Sequence, residues 1–158
     1  MKKYKKVAIG GTFDKLHKGH KILLFKAFEI GSHILIGLCS DEFVEKIGKP
    51  HPTARFEKRL EELLWFLKKN NFYERAEIIQ LNDPFGNTTS NKSIKAIVVS
   101  DETKKIAIKI NKERIKAGFN PLEIISIDMI PAENHKPIST TRIREGEIDR
   151  EGHILRKM

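Results

Sequence analysis

Two histidines near the start of the chain, His17 and His20, stand three residues apart and directly follow a glycine-rich bend. The bend, Gly10-Gly11-Thr12-Phe13, comes after a short apolar run and before apolar residues at helical spacing, which is typical of a crossover from a buried strand to a helix. Its glycines have no Cβ, so a ligand can approach the backbone, and the helix that begins near Lys18 points its free N–H groups at the same place. Two imidazoles on the first turn of this helix can hold a phosphate and stabilise the charge that develops on it during a reaction.

The stretch from Gly10 to His20 differs from both common phosphate-binding loops. It lacks the Gly-Lys-Ser/Thr end of a Walker loop and the second and third glycines of a dinucleotide fingerprint. A lone histidine on a helix is more often structural, but a pair in the frame Gly-Gly-Thr-Phe-Asp-x-Leu-His-x-Gly-His resembles the signature of the His-x-Gly-His nucleotidyltransferase superfamily. Members of that superfamily join a nucleoside triphosphate to a phosphorylated or carboxylated partner and release pyrophosphate.

Length and composition set the limits for this interpretation. The chain has 158 residues, which predicts one domain with a real core, and its net charge of +9 favours anionic partners without choosing among them. Cys39 is the only cysteine, so no internal disulfide can form, and we expect it in the core rather than in catalysis. No apolar run approaches the roughly 20 residues that span a bilayer, and no signal-peptide core begins the chain, so we expect a cytoplasmic protein.

Strand and helix patterns alternate along the chain. They predict a single-domain, Rossmann-like, doubly wound α/β fold, with a five-stranded parallel sheet and helices on both faces. Gly31 is expected to end the first helix in a C′ turn, and Thr53 to cap the third. Residues 1–145 form the domain and 146–158 a charged C-terminal tail. The strands are expected at residues 5–9, 33–39, 76–81, 96–99 and 122–127, and the helices at about 18–30, 41–46, from 53 onward, 102–117 and 139–144.

A second group of anion-binding residue types lies near the end of the chain. Ser139, Thr140 and Thr141 stand at a predicted helix start and are followed by Arg144, so hydroxyls, backbone N–H groups and a guanidinium can surround a phosphate. Such a run alone is usually only a helix cap. Together with the first motif it resembles the superfamily signature Ile-Ser-Ser-Thr-x-Ile-Arg, with Thr140 in place of the second serine. The resemblance implies that both groups bind one triphosphate.

Four segments between the two motifs resemble one branch of the superfamily, the archaeal and eukaryotic type of phosphopantetheine adenylyltransferase. The resemblance covers residues 6–144 and implies that ATP and 4′-phosphopantetheine give dephospho-coenzyme A and pyrophosphate, with magnesium, Mg²⁺, carried on the triphosphate. No carboxylate cluster stands out, so no metal ligand is assigned. The four segments are Asp83-Pro84-Phe85-Gly86, Ile97-Val98-Val99-Ser100-Asp101-Glu102-Thr103, Ile110-Asn111-x-x-Arg114 and Gly118-Phe119-Asn120-Pro121-Leu122.

Each candidate residue is expected to serve one of three tasks. His20 stabilises the transition state and His17 binds the triphosphate beside it. Thr12 donates to the incoming phosphate. The backbone at Gly10, Gly11 and Phe13 cradles ATP together with Ser139, Thr140, Thr141 and Arg144, while Ser100, Glu102 and Thr103 line the adenosine pocket, cap the following helix, or do both. The acceptor phosphate is expected to meet one or more of the cations Lys46, Lys49, Arg55 and Arg59.

Three other functions compete with this interpretation. A sibling enzyme, either a glycerol-phosphate cytidylyltransferase or an adenylyltransferase for FMN or nicotinamide mononucleotide, would share both anion-binding motifs. A basic nucleic-acid-binding module fits the charge, but the sequence has neither RNP aromatics nor a KH-type loop. A silent nucleotide sensor would not require the intact His-x-Gly-His. We therefore expect neither nucleic acid nor membrane as a partner, and dephospho-coenzyme A or coenzyme A as product or inhibitor; the oligomeric state stays open.

Overall fold

The computed structural model describes residues 2–48 and 52–127. Helices connect most of the strands in these residues; two helices lie between the second and third strands, followed by one short 3₁₀ turn, Tyr73–Arg75, and no helix separates the third strand from the fourth. The elements are β1 (Tyr4–Gly11), α1 (Lys18–Ile30), β2 (Gly31–Cys39), α2 (Asp41–Ile47), α3 (Phe56–Lys69), β3 (Ala76–Leu81), β4 (Ala96–Val99), α4 (Asp101–Lys116) and β5 (Glu123–Ser126).

The described strands form one parallel sheet in the order β3-β2-β1-β4-β5. The chain first moves outward from β1 to β2 and β3, and then returns to place β4 on the other side of β1. The strand order therefore reverses between β1 and β4, and in doubly wound sheets a ligand binds outside the carboxyl ends of the strands at this reversal. The predicted fold class is confirmed, and the loop after β1 and the residues after β4 are brought to the same edge.

Helices cover both faces of the sheet. Alternate residues of β1 point to opposite sides: Val7 and Ile9 join the core under α1 and α3, while Ala8 joins the core under α4. The strand β2, which lies between β1 and β3, is buried without a break from Ile34 to Cys39, as expected of a strand with helices on both sides. Within the described residues, no helix has the length and apolar character needed to cross a membrane.

Two predicted helix boundaries need correction. Gly31 does not form a left-handed C′ turn: it has φ −117° and ψ 144°, so α1 passes directly into β2. Thr53 does not cap α3, which begins at Phe56 after an extended Arg55 that makes no side-chain capping bond. The backbone N–H of Phe56 instead donates to Oδ1 of Asp41 at 2.9 Å, so a residue from α2 satisfies the N-terminus of α3. The predicted helix at 139–144 and the tail at 146–158 lie outside the described residues.

Gly31 provides a test of how closely α1 and β2 pack. A Cβ at this position would lie 2.7 Å from Cγ2 of Val7 and 2.8 Å from Cδ1 of Ile34, in a fully packed core. We expect Gly31→Ala to lower the free energy of unfolding by about 1–3 kcal/mol, measured by urea denaturation, because the two side chains must shift to admit the methyl group. Ser32→Ala, one residue further on, adds no atom and serves as the control. Equal stability of the two variants would contradict the packing described here.

Candidate active site

A cavity of about 600 Å³ opens at the carboxyl edge of the sheet, where the strand order reverses. Its walls come from the loop after β1, the start of α1, the residues after β4 and one side of α4. The structure thus brings together the predicted residues of the first motif and those that follow β4. The lining includes Gly10, Gly11, Thr12, Phe13, His17, His20, Ser100, Glu102 and Thr103.

The loop between β1 and α1 holds two non-glycine residues in the left-handed region. Phe13 has φ 51° and Lys15 has φ 47°. Such conformations cost about 1–3 kcal/mol each and persist only where surrounding contacts enforce them. Here the Phe13 ring is buried and meets the His20 ring edge-on at 5.3 Å between centroids, and the Asp14 carboxylate accepts the N–H of Ala54 at 3.2 Å. The loop is therefore held from both sides in one conformation.

His17 and His20 cap the N-terminus of α1 with their own rings. Nδ1 of His17 accepts the backbone N–H of Gly19 at 3.1 Å and that of His20 at 3.4 Å, while Nδ1 of His20 accepts the N–H of His17 at 3.2 Å. The two rings stack with their centroids 3.6 Å apart. This is a reciprocal capping box, in which imidazoles occupy the positions that Ser or Thr and Glu or Gln usually fill.

The capping bonds determine which ring nitrogens can donate. A nitrogen that accepts an N–H carries no proton, so in each neutral ring the proton sits on Nε2. The first turn of α1, which lies entirely within the described residues, contains no acidic side chain to offset the positive end of the helix dipole. The lining of the cavity therefore includes a helix N-terminus and two imidazoles whose orientation is fixed through Nδ1, an arrangement suited to phosphate.

Arg59, expected as a candidate for the acceptor phosphate, has a different position. Its side chain is fully buried, and its donors are directed at protein atoms. Nε donates to the carbonyl of Ala54 at 2.8 Å, Nη1 to those of Thr12 at 3.0 Å and Cys39 at 2.7 Å, and Nη2 to Oδ1 of Asp41 at 3.1 Å. The structure does not support contact between Arg59 and a substrate; the residue instead joins the loop after β1 to the ends of β2 and the start of α3.

The other predicted acceptor cations differ in accessibility. Arg55 is exposed, with its Nε 3.4 Å from Oδ2 of Asp41, and Lys46 is exposed in the last turn of α2. Neither belongs to the described lining of the cavity, although Phe43 and Ile47 of the same short helix do. The remaining predicted site residues, Lys49, Ser139, Thr140, Thr141 and Arg144, lie outside the described residues.

The residues after β4 combine two tasks. Ser100 and Thr103 form a capping box at the start of α4, in which the N–H of Ser100 donates to Oγ1 of Thr103 at 3.0 Å. Both residues also line the cavity, beside Glu102. A second helix N-terminus is thereby directed at the cavity from the opposite side of the strand reversal to α1.

Comparison with known proteins agrees with this geometry. A sequence model of the cytidylyltransferase-like family matches residues 8–146. The chain belongs to the cytidylyltransferase-like family. It is 46% identical over 157 residues to a phosphopantetheine adenylyltransferase of Pyrococcus abyssi, covering 99% of each chain. It is 46% identical over 158 residues to one of Methanothermobacter thermautotrophicus, covering 99% of this chain and 93% of that one. A solved protein of unknown function from Archaeoglobus fulgidus superimposes with a TM-score of 0.71 at 30% identity, over 85% of this chain and 99% of that chain.

One wall of the cavity in this cytidylyltransferase-like chain was missed by sequence reasoning. It is apolar and lies between the sheet, α4 and the segment that follows β3. Most of its side chains follow ordinary strand and helix periodicity, which marks them as core and gives no sign that they border a cavity, and Phe85 and Thr88 lie in the turns that follow β3. The wall comprises Leu35, Ile79, Phe85, Thr88, Ile97, Ile106 and Ile110.

The residues of the cavity provide few metal ligands. Asp14 and Glu102 are the carboxylates in its described lining, and the described residues contain no cluster of three or more groups that could hold a metal ion. Such a site fits an ion that arrives on phosphate oxygens and water and needs one protein carboxylate at most, which is the usual coordination of magnesium on a nucleotide.

The buried and exposed arginines beside Asp41 provide a matched pair for testing the role of Arg59. Arg59→Lys removes most of the carbonyl contacts of a fully buried guanidinium, so we expect the free energy of unfolding to fall by about 2–4 kcal/mol. Arg55→Lys alters an exposed pair to the same carboxylate and should change it by no more than about 0.5 kcal/mol. Guanidinium chloride denaturation of both variants measures the difference. Similar losses of unfolding free energy in the two variants would show that the contacts of Arg59 do not contribute the stability expected of them.

Proposed function

We propose that the chain is a phosphopantetheine adenylyltransferase: it transfers AMP from ATP to 4′-phosphopantetheine and forms dephospho-coenzyme A and pyrophosphate. The observation that carries this proposal is the paired-histidine cap, which places two imidazoles and a helix N-terminus in the lining of a cavity at the strand reversal. Support also comes from relatives of that name, which match nearly the whole chain at 46% identity.

In this reaction the protein must position the two substrates and stabilise developing charge; it does not need to supply a general base. An oxygen of the acceptor phosphate, already ionised near neutral pH, attacks the α-phosphorus of ATP. A new P–O bond forms, the bond between the α-phosphorus and the bridging oxygen breaks, and pyrophosphate leaves with the electron pair. Catalysis then consists of holding two anions in line and stabilising the charge on the α-phosphoryl oxygens as it builds up.

Each residue of the cavity receives one role in this scheme. Nε2–H of His20 donates to the α-phosphoryl oxygens in the transition state, and His17 binds the triphosphate beside it. Thr12 donates to the incoming phosphate, and the backbone of Gly10, Gly11 and Phe13 approaches ATP closely. Ser100, Glu102 and Thr103 line the adenosine pocket, and Ser139, Thr140, Thr141 and Arg144 complete the triphosphate site.

Binding of the acceptor phosphate is assigned to Lys46, Lys49 and Arg55, without Arg59. The short helix α2 carries Lys46 and ends at Gly48, whose φ of 72° and ψ of 52° form a left-handed cap. Such a turn ends the helix directly after Lys46 and Ile47, and Ile47 lines the cavity. A lysine there contributes a point charge that does not require a fixed approach geometry.

Magnesium belongs to the proposal as an ion carried by the ATP phosphates. When bound, it neutralises part of the triphosphate charge and helps pyrophosphate to leave. Water can complete its coordination. We further propose that dephospho-coenzyme A or coenzyme A occupies the same cavity as product or inhibitor, and that the protein works in the cytoplasm, where both water-soluble substrates are found.

Activity assays with different pairs of nucleotide and acceptor distinguish the proposed function from those of the sibling enzymes. ATP or CTP is combined with 4′-phosphopantetheine, FMN, nicotinamide mononucleotide or glycerol 3-phosphate, and pyrophosphate release is measured with and without EDTA. We expect turnover for ATP with 4′-phosphopantetheine, a product with the mass of dephospho-coenzyme A, and loss of activity when EDTA removes magnesium. Turnover with another pair would replace the proposed function with that of a sibling enzyme.

Two substitutions separate capping from catalysis. Glutamine at position 20 keeps an acceptor for the N–H of His17 and is a preferred residue there, so His20→Gln should stay within about 0.5 kcal/mol of wild-type stability. It loses the imidazole donor, and we expect kcat to fall about 10²–10³-fold. His17→Asn keeps a preferred N-cap residue and should weaken ATP binding, seen as a higher KM for ATP. Near-wild-type turnover by a folded His20→Gln protein would rule out the assigned role.

A further inference from the structure

Three segments that resemble the phosphopantetheine branch have no role in the reaction described so far: residues 83–86, 110–114 and 118–122. In the structure they are parts of one hydrogen-bonded unit centred on Arg114. Its guanidinium is buried, and its Nε donates to the carbonyl of Asn120 at 2.7 Å. Nη1 donates to the carbonyls of Thr88 at 2.7 Å and Asn91 at 2.8 Å. Arg114 thus ties α4 to the turn before β5 and to residues 82–93, here named the wall segment.

The same unit has further hydrogen bonds. Asn111 exchanges two bonds with the backbone of Leu122, at 2.9 Å and 2.7 Å, which hold the turn after α4 in place. At the start of the wall segment, Oδ1 of Asp83 accepts the N–H groups of Phe85 and Gly86, both at 2.8 Å. Gly86 has φ 54°, and a Cβ there would lie 2.6 Å from Cδ2 of Leu81, so this turn admits only glycine.

Arg114 is connected to the cavity through Thr88. The carbonyl of Thr88 accepts from Arg114, and both the N–H and the hydroxyl of Thr88 donate to the carbonyl of Phe85. The side chains of Phe85 and Thr88 line the cavity, whereas Arg114 itself does not belong to the described lining. Burial lowers the pKa of the Arg114 guanidinium from its ordinary value, consistent with a group withdrawn from water to hold the backbone.

The cavity has two chemically different ends. Near α1 it presents imidazoles, a hydroxyl and backbone N–H groups, which suit phosphates. Beside the wall segment it presents mainly the apolar side chains of Ile79, Phe85, Ile106 and Ile110, with Lys109 as the one cation that α4 adds to the described lining. Of the two proposed substrates, 4′-phosphopantetheine carries a long arm with a dimethyl group and methylenes, and its phosphate must reach the polar end. A mainly apolar wall at one end and phosphate-binding groups at the other match such a molecule in polarity.

We propose that Arg114 is a positioning residue for the acceptor: by holding the wall segment, it fixes Phe85 and Thr88 as the surface on which the dimethyl and methylene groups of the 4′-phosphopantetheine arm pack. ATP gains little from this surface, because its phosphates occupy the polar end and its adenosine lies beside the residues that follow β4. The inference rests on the proposed function and adds to it the part of the protein that selects the arm.

The test compares the two substrates in the variant Arg114→Lys. A lysine keeps the charge but offers one nitrogen in place of a planar fork, so it cannot hold carbonyls from the wall segment and from the turn before β5 together. We expect KM for 4′-phosphopantetheine to rise about tenfold or more while KM for ATP stays within about twofold. Calorimetric titration with each substrate alone gives the same comparison without turnover.

Arg75→Lys is the matched control. Arg75 also donates to three backbone carbonyls, those of Phe28, Gly31 and Ser32, but at the amino end of β2, away from the cavity. This variant should lose stability and leave both KM values within about twofold of the wild type. A rise in the acceptor KM equal to that of Arg114→Lys would show that any loss of stability has this effect, and would overturn the proposal.

If Arg114→Lys does not fold, two milder variants test whether the wall segment binds the acceptor. Thr88→Val removes the hydroxyl that donates to Phe85, and Phe85→Ala removes the ring from the wall. Both should raise the acceptor KM selectively. A selective rise in KM for ATP would assign the wall to adenosine and overturn the proposal, as would equal rises for both substrates. Failure of the wild-type protein to form dephospho-coenzyme A would instead overturn the proposed function, so the two results are distinguishable.

Discussion

The site depends on one ion pair, that between the buried Arg59 and the partly buried Asp41. Taking a guanidinium out of water is costly unless every donor finds an acceptor, and here the acceptors are carbonyls of Thr12, Cys39 and Ala54 besides the Asp41 carboxylate. These carbonyls belong to the loop after β1, the end of β2 and the approach to α3. They are left unpaired where parallel strands end, so one planar fork satisfies them and holds the loop that bears the left-handed Phe13.

The same solution recurs at two other places in the described chain. Arg75 joins the end of α1 to the start of β2, and Arg114 joins the wall segment to the turn after α4. At each place the chain changes direction and leaves backbone carbonyls without ladder partners. Arginine suits this task better than lysine because its five donors point in fixed, coplanar directions. Two of the three arginines, Arg59 and Arg114, hold residues that line the cavity, Thr12 and Thr88, which links the stability of the turns to the shape of the site.

The sequence was sufficient for the parts that depend on local rules. Periodicity located the strands, and the spacing of His17 and His20 after two glycines predicted a phosphate site at a helix start. Predictions from the sequence were wrong where contacts between distant residues determine the structure. Thr53 was expected to cap α3, but Asp41 does so from another helix. Arg59 was expected to meet substrate because its position at a helix start resembles that of Arg55, and nothing in the local pattern distinguishes a buried arginine from an exposed one. The apolar wall was missed for the same reason, since a residue that borders a cavity has the pattern of a core residue.

Histidine in the capping box meets two requirements that usually conflict: the helix N-terminus needs hydrogen-bond acceptors, and an anion site at the same place must not contain negative charge. Aspartate at the N-cap and glutamate at N3 would cap α1 well, but their charges would oppose a phosphate at the same helix end. Serine or glutamine would cap without charge, yet neither would hold its remaining donor in a fixed, rigid plane. A neutral imidazole accepts the backbone N–H through Nδ1 and carries its proton on Nε2, so one ring satisfies the helix on one side and provides a donor on the other. Stacking of the two rings restricts both to this orientation. The bonds that terminate the helix are therefore the same bonds that orient the donors, which explains how a loop with strained backbone can carry groups that need a fixed direction.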